Sequence, residues 1–155
     1  MLTSTTERSR KLRGCKADLI EVYAGAAHIT EVAAKSGLRT VEPIDQIYGI
    51  NMSKKGKGNI VELIEARRPY LTVYEIERRL WGPLTNLNYH YRPEVLEALR
   101  DAERSAVLSM SRHCERIHGE GRIFLIENPA HSMLWQEKCM HATPYESSRS
   151  RRRSV

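Results

Sequence analysis

Apolar residues in this chain come in short runs, and the spacing inside each run predicts the elements. "ADLIEVYAG", residues 17–25, is an apolar run ending at Gly25, which predicts a buried strand and then a tight turn. In "AAHITEVAAKSG", Ile29, Val32 and Ala33 fall on one helical face, and Gly37 is placed to end that helix. "LRTVEPID", 38–45, predicts a second strand stopped by Pro43. "KKGKG", 54–58, reads as a loop, after which Asn59 caps a helix over "IVELIEARR" that Pro69 ends. "YLTVY", 70–74, is the third strand. Pro93 opens the longest helix, 93–118, with Leu96, Leu99, Ala102, Ala106, Met110, Cys114 and Ile117 recurring at three and four. "GEG" ends that helix, and "RIFLIEN", 122–128, is the fourth strand. No internal repeat is visible.

Strands that alternate with helices, each a continuous apolar run, predict an α/β fold with a mostly parallel sheet covered on both faces. The expected architecture is a three-layer Rossmann-like domain over 17–138, between basic ends 1–16 and 139–155. Ligands of such sheets bind beyond the carboxyl ends of the strands, where the strand order reverses. All four predicted strands have an acid at or near that end: Glu21, Glu42 with Asp45, Glu75, and Glu127.

Charge changes the picture at the ends only. The net charge is +6, but residues 1–16 carry +4 and 147–155 carry +4, leaving −2 for the body. Arg149, Arg151, Arg152 and Arg153 make the tail a candidate for sequence-independent contact with DNA or another nucleic acid; otherwise it is a solubilising end. The first residues hold no apolar segment of a secretory signal, and no apolar run approaches membrane-spanning length. Three scattered cysteines, Cys15, Cys114 and Cys139, suit a reducing compartment, so an intracellular protein is expected, nuclear or cytoplasmic. Cys114 with His118, and Cys139 with His141, lack a CxxC partner, and no metal site is expected.

The acids admit several chemistries. Gly25 alone is not a phosphate-binding GxGxxG, and Glu21 repels a phosphate while suiting an amino group or hydroxyl; the turn is either such a site or a tight turn without a ligand. Glu42 or Asp45 is placed to take ribose hydroxyls, or is a solvated strand-end acid. Asp45, Glu75, Glu77 and Glu127 could instead hold a divalent cation for phosphodiester cleavage, although no lysine follows at the spacing that chemistry uses. Trp81, Tyr89 and Tyr91 either stack on bases beside Arg78, Arg79 and Arg92 or pack on the sheet edge.

"EVYAG" resembles the Asp-Leu-Phe-Ala-Gly motif of the S-adenosylmethionine-dependent DNA cytosine-5 methyltransferases, and "ENP", 127–129, resembles their Glu-Asn-Val. Trp81, Leu84, Asn86, Leu87 and Asn88 match a divergent branch whose loop reads Pro-Cys-x-x-Trp-x-x-Leu-x-Asn-Leu-Asn. The likeness covers about residues 17–137. It implies S-adenosyl-L-methionine as cofactor and DNA as partner. It implies that Glu21 lies near the methionine amino group, that Tyr23, Ala24 and Gly25 line the pocket, that Asp45 or Glu42 holds the ribose, and that Asn51 contacts the adenine. Glu127 takes the place of the acid that pairs with the target base. Ala27 stands where the family prefers glycine.

Two departures follow. The places of the family's Pro-Cys fall on Glu77 and Arg78. Attack on cytosine needs a thiolate, which an always-protonated arginine cannot supply, and a carboxylate is too weak a nucleophile to replace it. The family also continues beyond "ENP" with further strands and a target-recognition domain, whereas about 26 residues remain here. The expectation is a degenerate, methyltransferase-like domain without transfer activity. Its alternative is a nucleic-acid-binding module or retroelement-derived fragment acting through its basic tails.

Overall fold

The computed structural model of the chain describes residues 14–48, 57–76, 78–141 and 143. Asn51, Glu77 and the tail arginines Arg149, Arg151, Arg152 and Arg153 lie outside the described residues. The chain falls into two compact units, Met1–Ile76 with Ile117–Glu127 and Glu77–Arg116 with Asn128–Val155.

The first unit is α/β. Its regular elements are β1 (Ala17–Val22), α1 (His28–Lys35), a 3-10 turn at Gln46–Tyr48, α2 (Lys57–Arg67), β2 (Pro69–Glu75) and β3 (Ile123–Glu127). The strands form a parallel sheet in the order β1-β2-β3, with Val22 beside Tyr74 and Glu75 beside Glu127. Pro69 opens β2, a strand position that tolerates its missing N–H. All six residues of β1 are buried, as its apolar run requires.

α1 packs on one face of this sheet, where Leu19, Ala33 and Val73 form a buried cluster joined by Ile29, Leu38 and Leu71. Val32 was expected on that face but is 62% exposed, because the helix is short and buries only Ala33 fully. Gly37 ends α1 at φ +81°, with Leu38 N–H donating to the Ala33 carbonyl and Gly37 N–H to that of Ala34. This is a Schellman motif, and Gly121 closes the longest helix the same way through Arg122 and Ile117. α2 takes in Lys57 and Gly58, so Asn59 lies inside the helix rather than capping it.

The second expected strand is not a regular strand. Residues 39–44 run along the outer edge of β1 through two isolated parallel bridges, Leu19 with Thr40 and Val22 with Ile44. Four residues of β1, Leu19 to Val22, thus oppose five of this segment, Thr40 to Ile44. Continuing from the Val41 N–H on the Leu19 carbonyl, the donor to the Glu21 carbonyl would be residue 43, but Pro43 has no N–H. Ile44 donates instead, at 2.8 Å, and the pairing slips by one residue. β3 departs differently: Ile123 and Leu125 are 48% and 49% exposed, so that face of the edge strand is not covered as expected.

The second unit holds two single-turn helices, α3 (Arg78–Trp81) and α4 (Thr85–Asn88), then α5 (Pro93–Gly119), a 3-10 turn at Met133–Gln136 and α6 (Lys138–His141). The last residues of α5 belong to the first unit. Leu96, Ala106, Met110, Cys114 and Ile117 are buried as the periodicity predicts, whereas Leu99 is exposed and Arg100 is buried beside it. Ser111 Oγ donates to the Cys139 carbonyl at 2.7 Å, linking α5 to α6. No helix among the described residues is long and apolar enough to cross a membrane.

Candidate functional site

The chain leaves β1 through α1 to the segment 39–44 on one side, then passes through α2 to β2 on the other. β1 is therefore flanked by elements reached in opposite directions, the reversal at which open parallel sheets bind ligands. Its carboxyl end carries Glu21 and the turn 23–27, all within the first unit.

Glu21 is fully buried. Its Oε2 accepts the Thr30 N–H at 2.6 Å and the Thr30 hydroxyl at 2.7 Å. Thr30 is the third residue of α1, so Glu21 meets a backbone donor that the helix itself leaves unmet. The residue at the N-cap, Ala27, makes no side-chain cap. Oε1 of Glu21 has no hydrogen-bond partner.

Asp45 reaches the same turn. Its Oδ2 accepts the Gly25 N–H and its Oδ1 the Ile47 N–H, each at 3.1 Å. Of the two acids expected to take a ribose, Asp45 is thus tied to the turn, and Glu42 is exposed beside Pro43. Tyr23 is half-buried, with its N–H on the Ile44 carbonyl. Ala24 is buried, and its carbonyl accepts the Ala27 N–H. Gly25 is exposed and has open ground where a side chain would begin.

Tyr23, Gly25 and Ala27 all hold left-handed backbone, at φ 60°, 49° and 53°. Left-handed backbone costs a non-glycine residue about 1–2 kcal/mol, against about 0.8 kcal/mol for burying one methyl group. Ala27→Gly should therefore raise stability by about 0.5 kcal/mol, and Gly25→Ala should lower it by about 1 kcal/mol although its added methyl meets nothing. Urea denaturation of the two variants checks the opposite signs.

Glu127 ends β3, half-buried and in register with Glu75. Among the described residues no three His, Cys, Asp or Glu side chains are grouped to share a metal ion. Arg78 opens α3, in the second unit. In that unit Trp81 is buried under the Arg100 guanidinium, 5.6 Å from the ring centre. Arg100 also donates to the Leu80 carbonyl and to Asn86 Oδ1, each at 3.0 Å. Trp81 is thus a packing residue, whereas Tyr91 is 86% exposed. Burial pushes the Cys114 thiol far up, with Glu115 adding to the effect. Burial, then Glu137, raises that of Cys139. Neither offers a thiolate at neutral pH.

Thr30 and Arg100 were not singled out from the sequence. A threonine three residues into a helix that follows an acid-ended strand is the signal for the first; a buried arginine inside an apolar stripe has no sequence signal. No protein-family model, curated protein or solved structure matches this chain.

Proposed function

We propose that the first unit is an S-adenosyl-L-methionine-binding domain of the DNA methyltransferase type that no longer transfers methyl groups to cytosine. The observation that carries this reading is the buried Glu21 with an unpaired carboxylate oxygen at the reversal point of the sheet. The cofactor bears an ammonium group, a sulfonium and two ribose hydroxyls, and no phosphate. A site edged by Glu21 and Asp45 favours such a cationic, hydroxyl-bearing ligand and disfavours a dinucleotide. Glu21 would receive the ammonium group, Asp45 the ribose, and the open ground at Gly25 gives room for close approach.

When bound, the cofactor supplies an activated methyl group. The chain's own chemistry for using it is incomplete. Glu127 is present as the acid, but arginine stands in the nucleophile's place and the cysteines at 114 and 139 stay protonated. The four tail arginines favour a polyanionic partner such as DNA, held without base readout.

Calorimetric titration with S-adenosylmethionine tests the reading. Saturable one-site binding is expected, weakened at least about tenfold by Glu21→Ala, the loss of one charge-assisted contact. A folded chain that does not bind would overturn it. Salt-sensitive DNA binding lost on removal of residues 147–155, with no cofactor bound, would leave the tail-driven module.

A further inference from the structure

We infer that Thr30 is a positioning residue of this site, fixing which oxygen of Glu21 is left to receive a ligand's ammonium group. The inference rests on the cofactor reading above. Thr30 places both of its donors on Oε2, the N–H at 2.6 Å and the hydroxyl at 2.7 Å. Two donors on one oxygen hold the carboxylate in a single rotation. They leave Oε1 as a fully buried acceptor with no donor. Such an acceptor costs free energy that an arriving donor recovers, and a carboxylate oxygen pairs best with a cationic N–H.

The hydroxyl separates this role from plain helix capping. Capping α1 needs only the Thr30 N–H, which any residue but proline supplies. The hydroxyl adds nothing to the helix, but it locks the carboxylate. Because Glu21 is closed to solvent, a ligand reaches it only if the turn joining its strand to the helix of Thr30 gives way. That turn already holds Tyr23 and Ala27 in left-handed backbone.

Two ligands isolate the effect. S-adenosylhomocysteine and 5′-methylthioadenosine share the nucleoside and a neutral thioether, but only the first carries an amino-acid end. Calorimetry on the full chain compares wild type, Thr30→Val, Thr30→Ser and Glu21→Gln, with folding checked by circular dichroism. Thr30→Val is expected to weaken S-adenosylhomocysteine about tenfold while leaving methylthioadenosine within about twofold, and Thr30→Ser to keep wild-type affinity for both. Glu21→Gln, which retains an acceptor but not the charge, should show the same selective loss. If Thr30→Val does not fold, Thr30→Ala replaces it. Equal losses for both ligands, or a lower melting temperature with unchanged affinities, would overturn the role of Thr30 alone. A wild-type chain that binds neither ligand overturns the cofactor reading, and this inference with it.

Discussion

Arg122→Ala is expected to destabilise the first unit by about 3–5 kcal/mol, the cost of removing one partner from a buried ion pair. The Arg122 side chain is fully buried where the chain enters β3. Its Nη2 donates to Glu65 Oε1 at 2.7 Å, its Nε to Glu120 Oε2 at 3.0 Å, and its Nη1 to the Pro69 carbonyl at 3.3 Å. One side chain thus joins α2, the start of β2 and the turn before β3. Removing it takes a donor from the Pro69 carbonyl and sets Glu65 and Glu120 together without their shared cation. Glu120 keeps Arg68, at 3.4 Å and partly exposed. Whole domains are stable by only about 5–15 kcal/mol, so a loss of this size moves the urea midpoint far down. The double variant Arg122→Met with Glu65→Leu should recover part of the loss, because it removes one of the two carboxylates that Arg122 neutralises. A double variant no more stable than Arg122→Ala would show that the network acts through geometry that methionine cannot replace.

Trp81→Ala is expected to cost the second unit about 3–5 kcal/mol, the range for emptying a buried aromatic site. Trp81 is almost fully buried, it carries Arg100 on its ring, and its carbonyl accepts Ser132 Oγ at 2.9 Å. Without the ring, Arg100 loses the surface that holds its guanidinium beside Leu80 and Asn86. Amide exchange should therefore quicken over 79–88, and Trp135 remains as the fluorescent reference for global unfolding. Thr85 Oγ1, which donates to the Arg79 carbonyl at 2.8 Å, is a tie within that loop that does not involve the ring. Trp81→Phe keeps most of the packing and should lose under half as much. Slower exchange across 79–88 in the alanine variant would contradict the role given to the ring.

Much of the first unit was legible from residues alone. The runs at 17–25, 70–74 and 122–128 contain or overlap β1, β2 and β3, because a buried parallel strand is apolar on both faces and short. Gly37 marked the end of α1, since a left-handed residue there is most readily glycine. The helix at 93–118 was found within one residue, its start given by Pro93 and its end by glycines. The acids at the strand tips were also visible, but not what they bind. Nothing in "VEPID" says that Asp45 rather than Glu42 reaches the Gly25 N–H. Proline was read as a stop for the second strand; its effect is to shift the pairing by one residue and put Ile44 on Glu21.

The sequence by itself determined most of the local elements, the charged ends and the acids at the strand tips. These depend on side-chain periodicity, capping and residue identity, all of which are local. Only the tertiary structure decided that β1 is the reversal point, that Glu21 is buried with one oxygen satisfied by Thr30, and that Trp81 is packing rather than a stacking surface. Hydrogen-bond partners and burial depend on which segments the fold brings together. Glu21 and Thr30 are nine residues apart, Gly25 and Asp45 twenty, and Arg100 and Leu80 twenty. No periodicity in the chain encodes those distances, and they set the chemistry each group can perform.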